Sequence, residues 1–209
     1  MSSTPGDDTA AGNDSTNLDA DGDVISLPNE ADNVMSISAT GSIGYRWDDP
    51  GNSGENRNYR AALRHLREPT TEPAFYTNYG AEAVDISAPG GNADQSAIGT
   101  DVNWQYDLVL NTIFSEENGE RVADYGWKAG TNMAAPQVTA VAALVKSVNP
   151  SATPKEIRAH LESTARDLDN PTYHGEGYLN TVRAVWKEIR DDHDDDRGRH
   201  HRGGHDRDD

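Results

Sequence analysis

Gly130-Thr131-Asn132-Met133-Ala134-Ala135-Pro136, running on through Val138 to Val148, marks the centre of the molecule. From Gln137 onward only Gln137, Thr139, Lys146 and Ser147 interrupt small and branched apolar residues. A helix here is apolar nearly all round, which predicts a central helix buried in a core. Asn132 reads as its N-cap, Gly130 as a flexible approach, and Pro136 falls within or just past the first turn, where a missing N–H costs least.

The run GTNMAAPQVTAVAALV (130–145) resembles the nucleophile segment of subtilisin-like serine proteases, the subtilases. In that family a GTSMAAPHVAGVAAL-type sequence places the catalytic serine at the amino end of the central helix. The resemblance implies an α/β fold: a subtilisin-like doubly wound, mostly parallel sheet with flanking helices. It also implies a serine endopeptidase ancestry. Two departures fall at the chemistry: Asn132 takes the place of the serine and Gln137 that of a nearby histidine. A carboxamide has no proton to surrender to a general base, so Asn132 cannot act as the nucleophile.

Other segments extend the resemblance. Ala10-Ala11-Gly12-Asn13 resembles the AAGN segment, whose asparagine donates to the oxyanion; this implies Asn13 as the oxyanion-hole side chain. The same four residues, with Asp14, are also good turn chemistry. The resemblance further implies Ala11, Gly12, Leu27, Pro28 and Thr131 as substrate-binding positions, with Leu27-Pro28 in a pocket-floor turn and 33–39 the strand after it. The residues before Ala10 are polar where the family has an apolar strand, so that strand is expected to be damaged or absent. Tyr76-Thr77-Asn78-Tyr79-Gly80 through Val84-Asp85-Ile86-Ser87-Ala88-Pro89-Gly90 resembles the family's tight turn and core strand. Leu108–Phe114 is expected as a strand, and Arg121–Lys128 as the lead into the turn at Asn132.

Thr153-Pro154-Lys155-Glu156 is a capping box with proline at the first helical position. Ile157, Leu161, Ala165 and Leu168 follow on one face, with His160 pointing away to the surface. Leu179, Val182, Val185, Trp186 and Ile189 mark a last amphipathic helix. Three units result: a polar start (1–9), a partial peptidase domain (10–190) with 46–73 as an insertion or long loop holding a candidate helix at 59–68, and an Asp/Arg/His-rich tail (191–209) expected to be disordered.

The family's aspartate and histidine segments, DTG-like and HGTH-like, do not occur in the sequence. The resemblance therefore covers a carboxy-terminal half, with the amino-terminal half missing. It implies an enzyme silent by itself that takes a peptide or protein substrate, or a binding or structural half that pairs with an amino-terminal half in trans.

Composition sets the remaining bounds. The chain has 209 residues, a net charge of −18 and only four lysines against 36 acidic residues. Such acidity argues against nucleic acid or anionic membrane as partner and suits a protein kept soluble in high salt, as in haloarchaea. No cysteine is present, and no apolar run approaches the ~20 residues of a membrane span. The first eight residues have neither the basic nor the apolar part of a signal peptide, whereas subtilases are usually exported. Asp19, Asp21 and Asp23 alternate, with Glu30 twelfth from Asp19, but Val24 occupies the sixth position where a calcium loop needs glycine. A solvated acidic loop is the reading, with calcium at those three carboxylates the alternative. The tail histidines His193, His200, His201 and His205 have a loose transition metal as theirs.

Overall fold

The computed structural model describes residues 7–20, 22, 26–31, 33–47 and 66–189. The candidate helix at 59–68 lies mostly outside them, as do Asp21, Asp23 and the tail.

A parallel sheet of three strands forms the middle layer: β1 (Asp7–Ala10), β2 (Val34–Thr40) and β3 (Ile86–Pro89), with β2 central. Asp7 aligns with Val34 and Ala10 with Ile37; across the other pair Ile37 aligns with Ile86 and Thr40 with Pro89. The strand expected to be damaged or absent is thus present over four residues. Its backbone bonds to β2 do not depend on side-chain polarity, so Asp7-Asp8-Thr9 still pairs.

The six residues from Met35 to Thr40 are all buried, as a strand covered on both faces requires. On one face Met35, Ile37, Ala39, Ile86 and Ala88 pack against α1 (Thr131–Val148) through Ala134, Val138, Val141 and Val145. The opposite face is a layer of hydroxyls, Ser36, Ser38, Thr40 and Ser87, all fully buried. Backbone and side chains from 171–178 meet it: Ser38 donates to the Tyr173 carbonyl, and His174 Nδ1 lies 2.8 Å from Ser87 Oγ.

The helix α1 departs from expectation in two ways. Gly130, not Asn132, is its N-cap, and Asn132 lies in the first turn. Only one side is covered; Ala140, Ala143, Leu144 and Val148 are exposed, Leu144 to 48%. The segment 121–128 is no simple connector either. It forms β5 (Glu120–Lys128), antiparallel to β4 (Val109–Glu117). Asn118 and Gly119 make the two-residue turn with φ 54° and 82°, a pair of positive values that Asn-Gly accommodates at little cost.

The capping box at Thr153 starts α2 (Pro154–Thr164): Thr153 N–H donates to the Glu156 carboxylate at 2.6 Å, and Glu156 N–H to Thr153 Oγ1 at 3.3 Å. Leu161 and Ala165 enter the core. His160, expected at the surface, is buried, its Nε2 2.8 Å from the Ala184 carbonyl. That carbonyl belongs to α4 (Thr181–Trp186), which packs beside α2, so a helix docked on this side covers a position that spacing alone leaves outward. Within α4 only Ala184 is fully buried; Val182 and Trp186 are 70% and 84% exposed, contrary to the apolar face assigned to them. A single turn, α3 (Pro171–His174), precedes it. Of the expected insertion (46–73), residues 46–47 and 66–73 are described, and the latter are stitched to the chain after β2 by Ile43–Glu68 and Gly41–Glu72 bonds.

Candidate functional site

The site is built where the end of β1 meets the start of α1. Asn13 Oδ1 accepts from Thr131 N–H at 2.8 Å and from Thr131 Oγ1 at 3.1 Å. The same hydroxyl oxygen accepts from Gly12 N–H at 3.2 Å. Asn13 Nδ2 then donates to Asn132 Oδ1 at 3.2 Å. Asn13 and Asn132 are exposed while Thr131 is fully buried, so a solvated pair of carboxamides stands on a buried pivot.

Asn78 holds the loop after β1 in shape. Its Nδ2 donates to the Ala11 carbonyl at 3.1 Å, and its Oδ1 accepts from Asp14 and Thr16 N–H at 2.9 and 3.1 Å. Gly12 lies against this side chain with φ 110°; a Cβ there would sit 2.3 Å from Asn78 Nδ2. Both the backbone angle and the close approach call for glycine. Sequence reading gave Asn78 only an architectural place; its Asn-Tyr-Gly turn carried no hint that it brackets the site.

The turn at Leu27-Pro28 comes alongside through Asn29, whose Nδ2 donates to the Ala11 carbonyl at 3.3 Å. Leu27 itself is exposed. Gln137 Nε2 donates to the carbonyls of Pro89 and, at 3.1 Å, Met133, fastening α1 to the end of β3. Tyr76 supports the same corner by donating to the Gly91 carbonyl at 2.6 Å, and burial pushes its phenol well above the usual range.

The two described histidines serve elsewhere. His160 meets the Ala184 carbonyl, and His174 meets Ser87 on the hydroxyl face of the sheet, where burial, with Arg166 adding to it, pushes its pKa down. Among the described residues no group of three metal-ligating side chains occurs. Asp19 accepts from Glu82 and Ala83 N–H at 3.2 and 3.0 Å, which occupies it as the cap of that turn. Arg158 bridges Asp85 and Glu162, and burial raises both carboxyls despite the guanidinium between them.

A parallel sheet backed by a central helix, with an Asn-Thr-Asn cluster at the helix start, defines a partial subtilisin-like α/β domain. Residues 9–184 match the subtilase family of serine peptidases, and the chain belongs to that family. Alkaline elastase YaB of Bacillus sp. is 33% identical over 156 residues, covering 74% of this chain and 34% of the elastase. An extracellular protease of Xanthomonas campestris pv. campestris is 31% identical over 179 residues, 84% of this chain and 22% of that protein. The solved protease from Pseudoalteromonas arctica superposes with a TM-score of 0.56 at 31% identity, covering 84% of this chain and 40% of that one. Fervidolysin from Fervidobacterium pennivorans, at 21% identity and a TM-score of 0.54, shares the fold. The chain thus spans about a third or less of the curated relatives it matches.

Proposed function

We propose that this chain is the carboxy-terminal half of a subtilase peptidase domain and is catalytically silent by itself. Asn132 stands in the nucleophile's place, and Asn13 is the remnant oxyanion donor. Ala11, Gly12, Leu27, Pro28 and Thr131 are the substrate-side positions toward a peptide or protein. The net charge of −18 supports a haloarchaeal, high-salt setting for this half-domain.

The observation that carries the reading is the hydrogen bond from Asn13 Nδ2 to Asn132 Oδ1. An oxyanion donor accelerates acyl transfer only when aimed at developing negative charge. Here it is engaged by a neutral carbonyl oxygen of the same chain, next to a residue with no transferable proton.

The test is hydrolysis of a generic peptide substrate in high salt by the chain and by Asn132→Ser, with near-ultraviolet circular dichroism on the same samples. Silence from both, with a packed spectrum, is expected, since a serine alone has no base to activate it. Cleavage by the unmodified chain that is lost in Asn13→Ala would overturn the proposal.

A second reading, a binding or structural half that pairs with an amino-terminal half in trans, is favoured by the outer position of β1 among the described strands.

A further inference from the structure

We propose that Asn118-Gly119, the tip of the β4–β5 hairpin, is a self-modification site: the Gly119 backbone nitrogen closes on the Asn118 carboxamide, and the succinimide that forms opens to isoaspartate and aspartate. The step needs no catalytic residue, so it is independent of the silent-enzyme reading above.

Sequence and geometry single out this asparagine together. Asn118-Gly119 is the one Asn-Gly pair in the sequence, and glycine alone puts no Cβ beside the attacking nitrogen. Both residues are exposed, and apart from its chain neighbours no atom lies within 4 Å of where a Cβ on Gly119 would sit. Among the described residues no acceptor holds the Gly119 N–H, and none bonds the Asn118 carboxamide.

Other asparagines are held or shielded. Asn33 shares the exposure and the positive φ, at 65°, yet the Val34 that follows is branched and its N–H donates to the Ala31 carbonyl at 3.2 Å. Asn111 Oδ1 accepts from Thr112 N–H at 2.7 Å, which engages the very nitrogen that would have to attack. Asn13 and Asn132 bond each other at 3.2 Å, and Asn17 Oδ1 accepts from Asp19 N–H at 3.1 Å. Asn149 and Asn170 precede proline, whose nitrogen carries no hydrogen.

In the step itself the Gly119 N–H gives its proton to solvent hydroxide, the nitrogen bonds Asn118 Cγ, and the carboxamide nitrogen leaves as ammonia. Water then opens the ring. Attack at the side-chain carbonyl leaves aspartate, and attack at the main-chain carbonyl leaves isoaspartate.

The turn is the lock of this hairpin. Glu117 and Glu120 face each other across it, with Glu116 opposite Arg121 one pair further in. Like charges so opposed are unfavourable, so the Asn-Gly geometry is what keeps that end closed. The product adds a carboxylate to this cluster, and isoaspartate adds a methylene to the main chain, so a two-residue turn no longer fits the register. The two strands pack chiefly on each other and leave Leu110, Phe114 and Tyr125 exposed, so little else holds the tip.

The experiment incubates the full chain in mildly alkaline, high-salt buffer, with near-ultraviolet circular dichroism to show packing, and follows it by peptide mapping and amide hydrogen exchange. The mass gain of an amide-to-acid exchange is expected in the peptide holding Asn118, with isoaspartate as its main product. Asn118 is expected to convert at least about tenfold faster than Asn33, since only glycine leaves the attacking nitrogen unshielded. Exchange across 115–122 is expected to quicken as conversion proceeds. Asn118→Gly carries no amide, and its Gly-Gly pair suits the same turn, so its exchange is expected to stay constant.

An Asn118 that stays intact, or conversion of Asn33 or Asn111 at the same rate, would overturn the proposal. So would aspartate without isoaspartate, which would mean direct hydrolysis of the side chain. Exchange that quickens equally in Asn118→Gly would overturn the role of the turn as the lock.

Discussion

The two edges of the parallel sheet are finished differently. Beyond β3 the chain closes the sheet with its own backbone: Ser87 N–H donates to the Gly177 carbonyl and Leu179 N–H to that of Ser87, both at 2.9 Å. Glu176 N–H reaches the Asp85 carbonyl at 2.8 Å, and His174 and Tyr173 seal the hydroxyl layer beneath. Beyond β1 no described segment does the same, and the helix above it leaves Ala143 and Leu144 in water. One edge is a completed structure held by close backbone contacts. At the other, Leu144 and Val148 of α1 are exposed and no described segment pairs with β1 from outside.

The sharpest test of that contrast is Gly175→Ala. Gly175 has φ 51°, and a Cβ would lie 2.2 and 2.3 Å from the Val84 and Asp85 carbonyls. Displacing backbone at the closed edge is expected to cost more than about 3 kcal/mol, read as a large drop in the thermal midpoint.

A matched pair of leucines sharpens the comparison next. Leu161 is 2% exposed in the closed core and Leu144 is 48% exposed on the open side. Leu161→Ala is expected to destabilise by about 2–5 kcal/mol and Leu144→Ala by less than about 1 kcal/mol in urea unfolding. Equal losses would mean that the α1 face is covered in solution.

The smallest effect is a dependence on pH. Burial lowers the folded-state pKa of His174, so its contribution to stability is present above its ordinary value near 6.5 and is lost as pH falls through the depressed folded value. The raised carboxyls of Asp85, Asp107 and Glu162 act with the opposite sign, their protonation favouring the folded chain. Comparison with His174→Gln isolates the histidine. Below about pH 6.5 the parent is expected to lose stability faster than the variant. Parallel acid limbs would place His174 outside the closed edge.

Much of the fold was legible in the chain because the signals are local. The capping box at Thr153, the proline at 154, the strand at 34–40 and the length of the central helix each follow from residues adjacent in sequence. Asn118-Gly119 was an equally local hairpin signal, present in the sequence and read past. The face of α4 was misjudged because its spacing fits an apolar stripe, while only Ala184 meets a neighbour that buries it. His160 failed in the opposite sense, its burial supplied by a helix more than twenty residues away.

What the sequence determined by itself was the family, since motif residues carry it in order along the chain. Only the tertiary structure decided that the Asn13 and Asn132 carboxamides meet across 119 positions, that Thr131 and Asn78 brace them, and that one sheet edge is sealed while β1 is outermost among the described strands at the other. Contacts between segments so far apart depend on how helices and strands pack, and packing leaves no mark at any single position of the chain.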